Sequence, residues 1–166
     1  MPIFLIGYMG SGKSTLGRNL AKHMDIEFID LDRVIEKDLG LQISYVFREK
    51  GESFFREKEH AILTSLTCPN NTIIATGGGT PCFFNNHNYM NKMGSTIYLK
   101  ITPIELYKRL KFDTKRPLLY NNKLNLQDFI NEQLLEREKY YQMSDYTIES
   151  DGISVNDLYK LINKII

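Results

Sequence analysis

Short apolar runs along this chain alternate with longer stretches in which apolar residues recur every three or four positions. The runs lie at 2–6, 26–30, 72–75, 96–99 and 146–148, and each has a strand's length and β-branched or aromatic content. Between them, helical spacing predicts helices over 13–22, from about 31 to Gly40, over 43–50, 52–66 and 85–93, from Pro103 through Leu106 and Leu110, and over 126–141 and 155–165. Gly51 is read as the stop between the third and fourth helices, and Phe55, Ala61, Ile62 and Leu66 as the inward face of the fourth. Five strands alternating with helices predict a three-layer α/β/α fold, a parallel sheet covered on both faces. Only residues 113–124 lose apolar periodicity. A connection that long in a compact domain is usually a lid or binding segment.

Length changes this picture little: 166 residues suit a single domain spanning 1–166. At 42% hydrophobic and 25% charged the composition is that of an ordinary globular protein. A net charge of +1 gives no general attraction to polyanions, so no nucleic-acid partner is expected. No apolar run approaches the roughly 20 residues that span a bilayer, so no membrane partner is expected either. Cys68 and Cys82 have neither metal-ligand spacing nor a disulfide framework, and read as reduced thiols in a cytoplasmic protein.

The first strand runs directly into Gly7-Tyr8-Met9-Gly10-Ser11-Gly12-Lys13-Ser14, which fits G-x-x-x-x-G-K-[ST] without a mismatch. A strand, a glycine turn and a helix are the context that makes this motif a phosphate-binding loop. Gly10, Ser11, Gly12, Lys13, Ser14 and Thr15 are therefore the expected ATP-binding residues, with the helix dipole adding to their backbone N–H groups. Lys13 supplies a point charge for β- and γ-phosphates, and Ser14 a hydroxyl oxygen for Mg²⁺.

In open α/β sheets, ligands bind at the carboxyl ends of the strands. Two more strands end in polar or glycine-rich signals: Asp30-Leu31-Asp32 and Thr76-Gly77-Gly78-Gly79. The third strand lacks a terminal Asp, which leaves Asp30 as the carboxylate for Mg²⁺, directly or through water; its plainer alternative is a helix cap. Asp32 can accept hydrogen bonds from a substrate hydroxyl, or take its proton as the oxygen attacks phosphorus; its alternative is a cap for a helix starting at Arg33. The three glycines let a substrate approach the backbone; their alternative is a tight turn before Pro81. Arg56 and Arg137 offer planar forks that match a carboxylate, and Arg116, in the 113–124 segment, can close over a polyphosphate. Taken singly, each arginine reads better as a solvated surface residue.

The order of these features resembles the shikimate kinase family along nearly the whole chain. The resemblance rests on Gly7 to Ser14, on Asp30-Leu31-Asp32, on Phe55-Arg56 with Glu59, on Gly77-Gly78-Gly79, on Arg116-Pro117-Leu118-Leu119, and on Arg137 with Tyr141. It implies a fold of the nucleoside monophosphate kinase type, with strand order 2-3-1-4-5, substrate-binding helices over about 32–62 and a lid over about 113–124. It also implies transfer of the γ-phosphate of ATP to the 3-hydroxyl of shikimate, on the way to chorismate and the aromatic amino acids, by an enzyme acting as a monomer. Lys13, Asp32 and Arg116 would be catalytic. Lys13, Ser14 and Asp30 would serve ATP and Mg²⁺, with Arg109 on the adenine and Arg116 on ATP. Asp32, Phe47, Phe55, Arg56, Gly77, Gly78, Gly79 and Arg137 would form the shikimate site. One position departs: the family usually has proline two residues after the late arginine, where this chain has Lys139.

Two other readings stay open on the residues. One is another small-molecule kinase on this scaffold, such as one for gluconate or a nucleoside monophosphate; a neutral acceptor would not need paired guanidinium forks. A nucleotide-binding module without turnover would not need Asp32.

Overall fold

The computed structural model describes residues 1–67, 69–112 and 125–165. Five parallel strands, β1 (Ile3–Ile6), β2 (Glu27–Asp30), β3 (Thr72–Ala75), β4 (Ser95–Lys100) and β5 (Tyr146–Glu149), form one sheet in the order β2-β3-β1-β4-β5. This is the expected order. The helices are α1 (Lys13–Met24), α2 (Leu31–Leu39), α3 (Ile43–Ser65), α4 (Asn86–Met93), α5 (Pro103–Leu110), α6 (Leu126–Tyr141) and α7 (Val155–Ile165), with a 3₁₀ turn at Thr80–Cys82.

The sheet is buried on both faces, so its central strand β1 is apolar throughout. Phe4 and Ile6 of β1 face one core with Ile74, Tyr98 and residues of α2 to α6. Ile3 and Leu5 face the other, with Ile73, Ile97 and Leu99, under α1 and α7. Helix α1 lies close on that second face because Gly17 has no side chain there. A Cβ at this position would come within 2.8 Å of Leu5 and 2.9 Å of Phe28.

One expectation is corrected. Gly51 interrupts α3 as expected: it takes φ 81°, ψ 171°, outside the helical region, and two helical stretches meet there at a kink. The inward face beyond it differs. Beyond the kink the inward face is Phe55, Arg56, Glu59, Ile62 and Leu63, and Ala61 points to solvent. The buried stripe has helical spacing, but two of its members are charged, which displaces any stripe drawn from apolar residues alone. The 113–124 segment, with Arg116, lies outside the described residues, as does Cys68.

Candidate active site

The phosphate loop leaves β1 at the centre of the sheet, and its neighbour β3 ends in Thr76 and the three glycines. Register fixes their proximity: Leu5 pairs with Ala75, and Asp30 at the end of β2 pairs with the same Ala75. Thr76 is tied back to β1, its N–H and its hydroxyl both donating to the Leu5 carbonyl, at 3.2 and 3.0 Å. Three strand ends thus open on one crevice, as the topology requires.

That crevice is a cavity of about 630 Å³. One part of its wall is Gly10, Gly12, Lys13, Ser14 and Thr15, with Arg109 at the rim. Another is Asp32, Phe47, Phe55 and Arg56, joined by Gly77, Gly78, Gly79 and Arg137. The structure therefore brings together every expected site residue among those described except Ser11 and Asp30, which are not in the lining. Ser11 is buried within the loop, its N–H donating to the Tyr8 carbonyl.

Lys13 is buried, and its ammonium donates to the carbonyls of Gly7 at 2.7 Å and Tyr8 at 2.9 Å. The cation thus sits over its own loop, where a phosphate oxygen can replace a carbonyl as its partner. Gly10 and Gly12 take φ +81° and +97°, the left-handed conformations that shape the loop. Arg109 donates to the Gly10 carbonyl at 3.2 Å and to Glu105 at 3.0 Å, which holds its guanidinium beside the loop.

Asp30 occupies the cap position of α2, yet its side chain makes no capping bond. Asp32 lies in the first turn, since the helix begins at Leu31, so it is not the cap that a start at Arg33 suggests. For Mg²⁺ the donor chemistry fits: one hydroxyl, Ser14, and one carboxylate, Asp30, are hard oxygen donors. The ion commonly takes one or two such protein groups and completes its shell with phosphate and water. Among the described residues no group of three His, Cys, Asp or Glu could hold a metal without such help.

Arg56 is not on the surface. Only 5% of the residue is exposed. Its Nη1 donates to Glu59 at 2.7 Å, and its Nε and Nη2 donate to one oxygen of Glu52 at 3.1 and 3.0 Å. The rings of Phe83, Phe55 and Phe47 lie 4.5, 5.0 and 5.8 Å from the guanidinium carbon. Burial works against the charge, but Glu59 and Glu52 outweigh it and raise the pKa. Gly79 is the floor under this group: a Cβ there would overlap the guanidinium, 2.6 Å from its carbon. Gly77 is crowded in a different way, since its Cβ would meet Glu59 at 2.8 Å, Thr80 at 2.9 Å and Asp32 at 3.0 Å.

Arg137 reaches the cavity from α6, 5.7 Å from the Tyr8 ring centroid. One turn later the Tyr141 hydroxyl donates to the Gly78 carbonyl at 2.6 Å, which anchors the end of α6 to the glycine strand end. Burial pushes the Tyr141 phenol up, with Arg137 opposing, so it stays a donor.

Sequence reasoning missed part of the wall. Ser150, Gly152 and Ile153, just after β5, line the cavity with Arg109. The Asp151-Gly152 pair was a readable turn signal there, with Gly152 at φ +67°. Ile43 and Ser44 at the start of α3, and Met9 in the loop, also line it.

A parallel sheet in this order, with a phosphate loop after the central strand and a second, anion-ready wall beside it, defines a phosphate-loop kinase for small molecules. The comparisons with known proteins are specific within that class. Residues 9–166 match the model of the family described as shikimate kinase. A shikimate kinase from Phocaeicola vulgatus is 41% identical over 172 residues, covering 98% of each chain. The solved shikimate kinase from Bacteroides thetaiotaomicron superposes with a TM-score of 0.90 at 35% identity, over 99% of this chain and 97% of that one. A shikimate kinase from Acinetobacter baumannii, solved in complex with shikimate, gives 0.89 at 33% identity, over 99% and 91%. The chain belongs to the shikimate kinase family.

Proposed function

We propose that the protein transfers the γ-phosphate of ATP to the 3-hydroxyl of shikimate, giving shikimate 3-phosphate and ADP for the synthesis of chorismate and the aromatic amino acids. The observation that carries this reading is that one cavity holds Lys13, Asp32, Arg56 and Arg137 together. A phosphate-loop lysine and two guanidinium groups on the same wall suit a triphosphate and a hydroxylated carboxylate, and not a neutral acceptor.

In this reading Lys13 and the loop N–H groups hold the β- and γ-phosphates, and Arg109 packs against the adenine. Arg56 and Arg137 take the shikimate carboxylate, Phe47 and Phe55 flank the ring, and Gly77, Gly78 and Gly79 let it lie against backbone. Asp32 orients the 3-hydroxyl and accepts its proton as the oxygen bonds to phosphorus and the bond to the ADP oxygen breaks. Mg²⁺, held by Ser14 and by Asp30 directly or through water, would offset negative charge on the phosphate oxygens. Arg116, outside the described residues, is assigned to ATP from the lid. Such phosphoryl transfer asks mainly for positioning and charge stabilisation. We read the chain as one catalytic unit working as a cytoplasmic monomer.

The test is ADP release from purified protein with ATP and Mg²⁺. Shikimate should support turnover, while gluconate and nucleoside monophosphates should not. No turnover above the shikimate-free background refutes the assignment.

A further inference from the structure

The buried carboxylate of Glu59 is held at both oxygens. One accepts from Arg56 at 2.7 Å, and the other from the Thr80 hydroxyl at 2.6 Å. Glu59 and Thr80 are both fully buried. Thr80 is itself fixed. Its N–H donates to the Gly77 carbonyl at 3.2 Å, and its carbonyl accepts from the Asn86 side-chain amide at 2.9 Å. Asn86, also fully buried, pairs its amide oxygen with His60 Nδ1 at 2.6 Å. With the amide nitrogen committed to Thr80, the oxygen must accept, so His60 carries its proton on Nδ1. His60 follows Glu59 in α3, so the chain of bonds leaves α3, crosses the 3₁₀ turn and α4, and returns to α3.

A network of this kind does little for stability. A buried ion pair roughly balances its own desolvation, while a buried carboxylate oxygen stripped of its donor is costly. Without the Thr80 hydroxyl, the freed Glu59 oxygen would face Asp32. Both carboxylates already come within 3.0 Å of the point where a Gly77 Cβ would stand. Like charges that close repel. Glu59 would then turn away, and Arg56 would lose the bond that fixes one edge of its fork.

We propose that Thr80 is a positioning residue for substrate binding: its hydroxyl fixes Glu59, Glu59 fixes the Arg56 guanidinium, and Asn86 holds Thr80 in place. This rests on the proposed role of Arg56 toward the shikimate carboxylate. Thr80→Val keeps the shape and removes the hydroxyl; Thr80→Ser keeps the hydroxyl. In ADP-release kinetics, Thr80→Val should raise the shikimate KM about tenfold, about 1.4 kcal/mol, and leave the ATP KM within about twofold. Thr80→Ser should restore the wild-type value. A second measurement does not depend on turnover: exchange of the Arg56 Nη1 hydrogens, the ones that donate to Glu59, followed by NMR, their signal identified by its loss in Arg56→Lys. Exchange should be slow in the wild type and in Thr80→Ser, and at least about tenfold faster in Thr80→Val. Unchanged exchange in Thr80→Val overturns the proposal, as does an equal rise in both KM values. A wild type that does not turn over shikimate refutes the functional reading alone, and the exchange arm still decides the role of Thr80. Should Thr80→Val fail to fold, Thr80→Ala carries the same two measurements.

Discussion

Gly79→Ala tests the placement of Arg56, the side chain nearest the added methyl. Gly79 sits at φ −96°, ψ −13°, where alanine is at ease, so the backbone carries no penalty. The whole effect must come from the added methyl, which would stand 2.6 Å from the guanidinium carbon. Ordinary carbon contacts lie at about 3.5–4.0 Å, so the guanidinium must retreat by about 1 Å. At the end of a free arginine that would cost little. Here three hydrogen bonds to Glu52 and Glu59 and the Phe83 ring hold the group. A retreat of that size breaks at least one charge-assisted bond, worth about 1.5–3 kcal/mol, and points the fork away from the cavity. Taking about 2 kcal/mol as the loss to shikimate binding predicts a roughly 30-fold rise in shikimate KM with ATP KM nearly unchanged. The assay is ADP release with each substrate varied in turn, together with shikimate binding by calorimetry. In an Arg56→Ala background the three atoms that crowd the methyl are gone, so the second substitution should add a much smaller loss. A shikimate KM within about twofold of wild type in Gly79→Ala, or the same loss in both backgrounds, refutes the reasoning.

Asp32→Asn keeps the side chain's shape and removes its basicity; kcat should fall by at least about 10² with a smaller change in ATP affinity, and near-normal kcat would remove the proton-accepting role. Lys13→Met should lower kcat by about 10²–10³, the cost of one fixed charge at the transition state, and ADP release at saturating shikimate checks it. Burial pushes the Cys82 thiol up to about 11, with Arg137 and Arg56 opposing. Alkylation of Cys82 in a Cys68→Ser background should therefore stay slow at pH 9 and accelerate only toward pH 11, whereas the unfolded chain reacts near the ordinary thiol pKa. Because folding raises this pKa, its contribution to stability is present below the unfolded value and is lost as pH rises toward about 11. A denaturation series between pH 8 and 11 on the wild type and Cys82→Ser should show the smaller loss in the variant.

The parts of the fold that were legible are those whose burial is uniform. β1 and β3 are buried at every position, so their apolar runs announce them. The phosphate loop was legible because its conformation demands glycine and its chemistry demands Lys13. Arg56 was harder. By composition it belongs outside, and only the spacing Glu52-x-x-x-Arg56-x-x-Glu59 hints that one helix face carries the cation with both its partners. The same charged stripe hid the inward face of α3 and sent Ala61 to the wrong side. Contacts between distant segments left no local trace at all. Nothing near Tyr141 says that its hydroxyl meets Gly78, 63 residues earlier. The wall formed by Ser150 and Ile153 likewise depends on where β5 lies in the sheet.

The two glycine clusters answer different physical demands, and the difference explains how one cavity can serve two ligands. Gly10 and Gly12 bend the chain into conformations that side chains avoid, so the loop's own backbone makes the phosphate cradle. Gly77, Gly78 and Gly79 are absent from the positive-φ positions; what they supply is space. Into the room left by Gly77 come Glu59, Thr80 and Asp32, and against Gly79 lies Arg56. The site of a Gly78 Cβ is 3.1 Å from the Met9 nitrogen, so the second cluster also touches the phosphate loop. Its carbonyl in turn holds Tyr141 and with it the end of the helix bearing Arg137. The backbone of 77–79 is thus the common surface on which the loop for the nucleotide, the carboxylate for the hydroxyl and the helices carrying both arginines are registered. A side chain at any of the three positions would separate two of these parts without altering the chemistry of either. Alanine at Gly77 should therefore disturb Asp32 and Glu59 together, and alanine at Gly79 Arg56 alone.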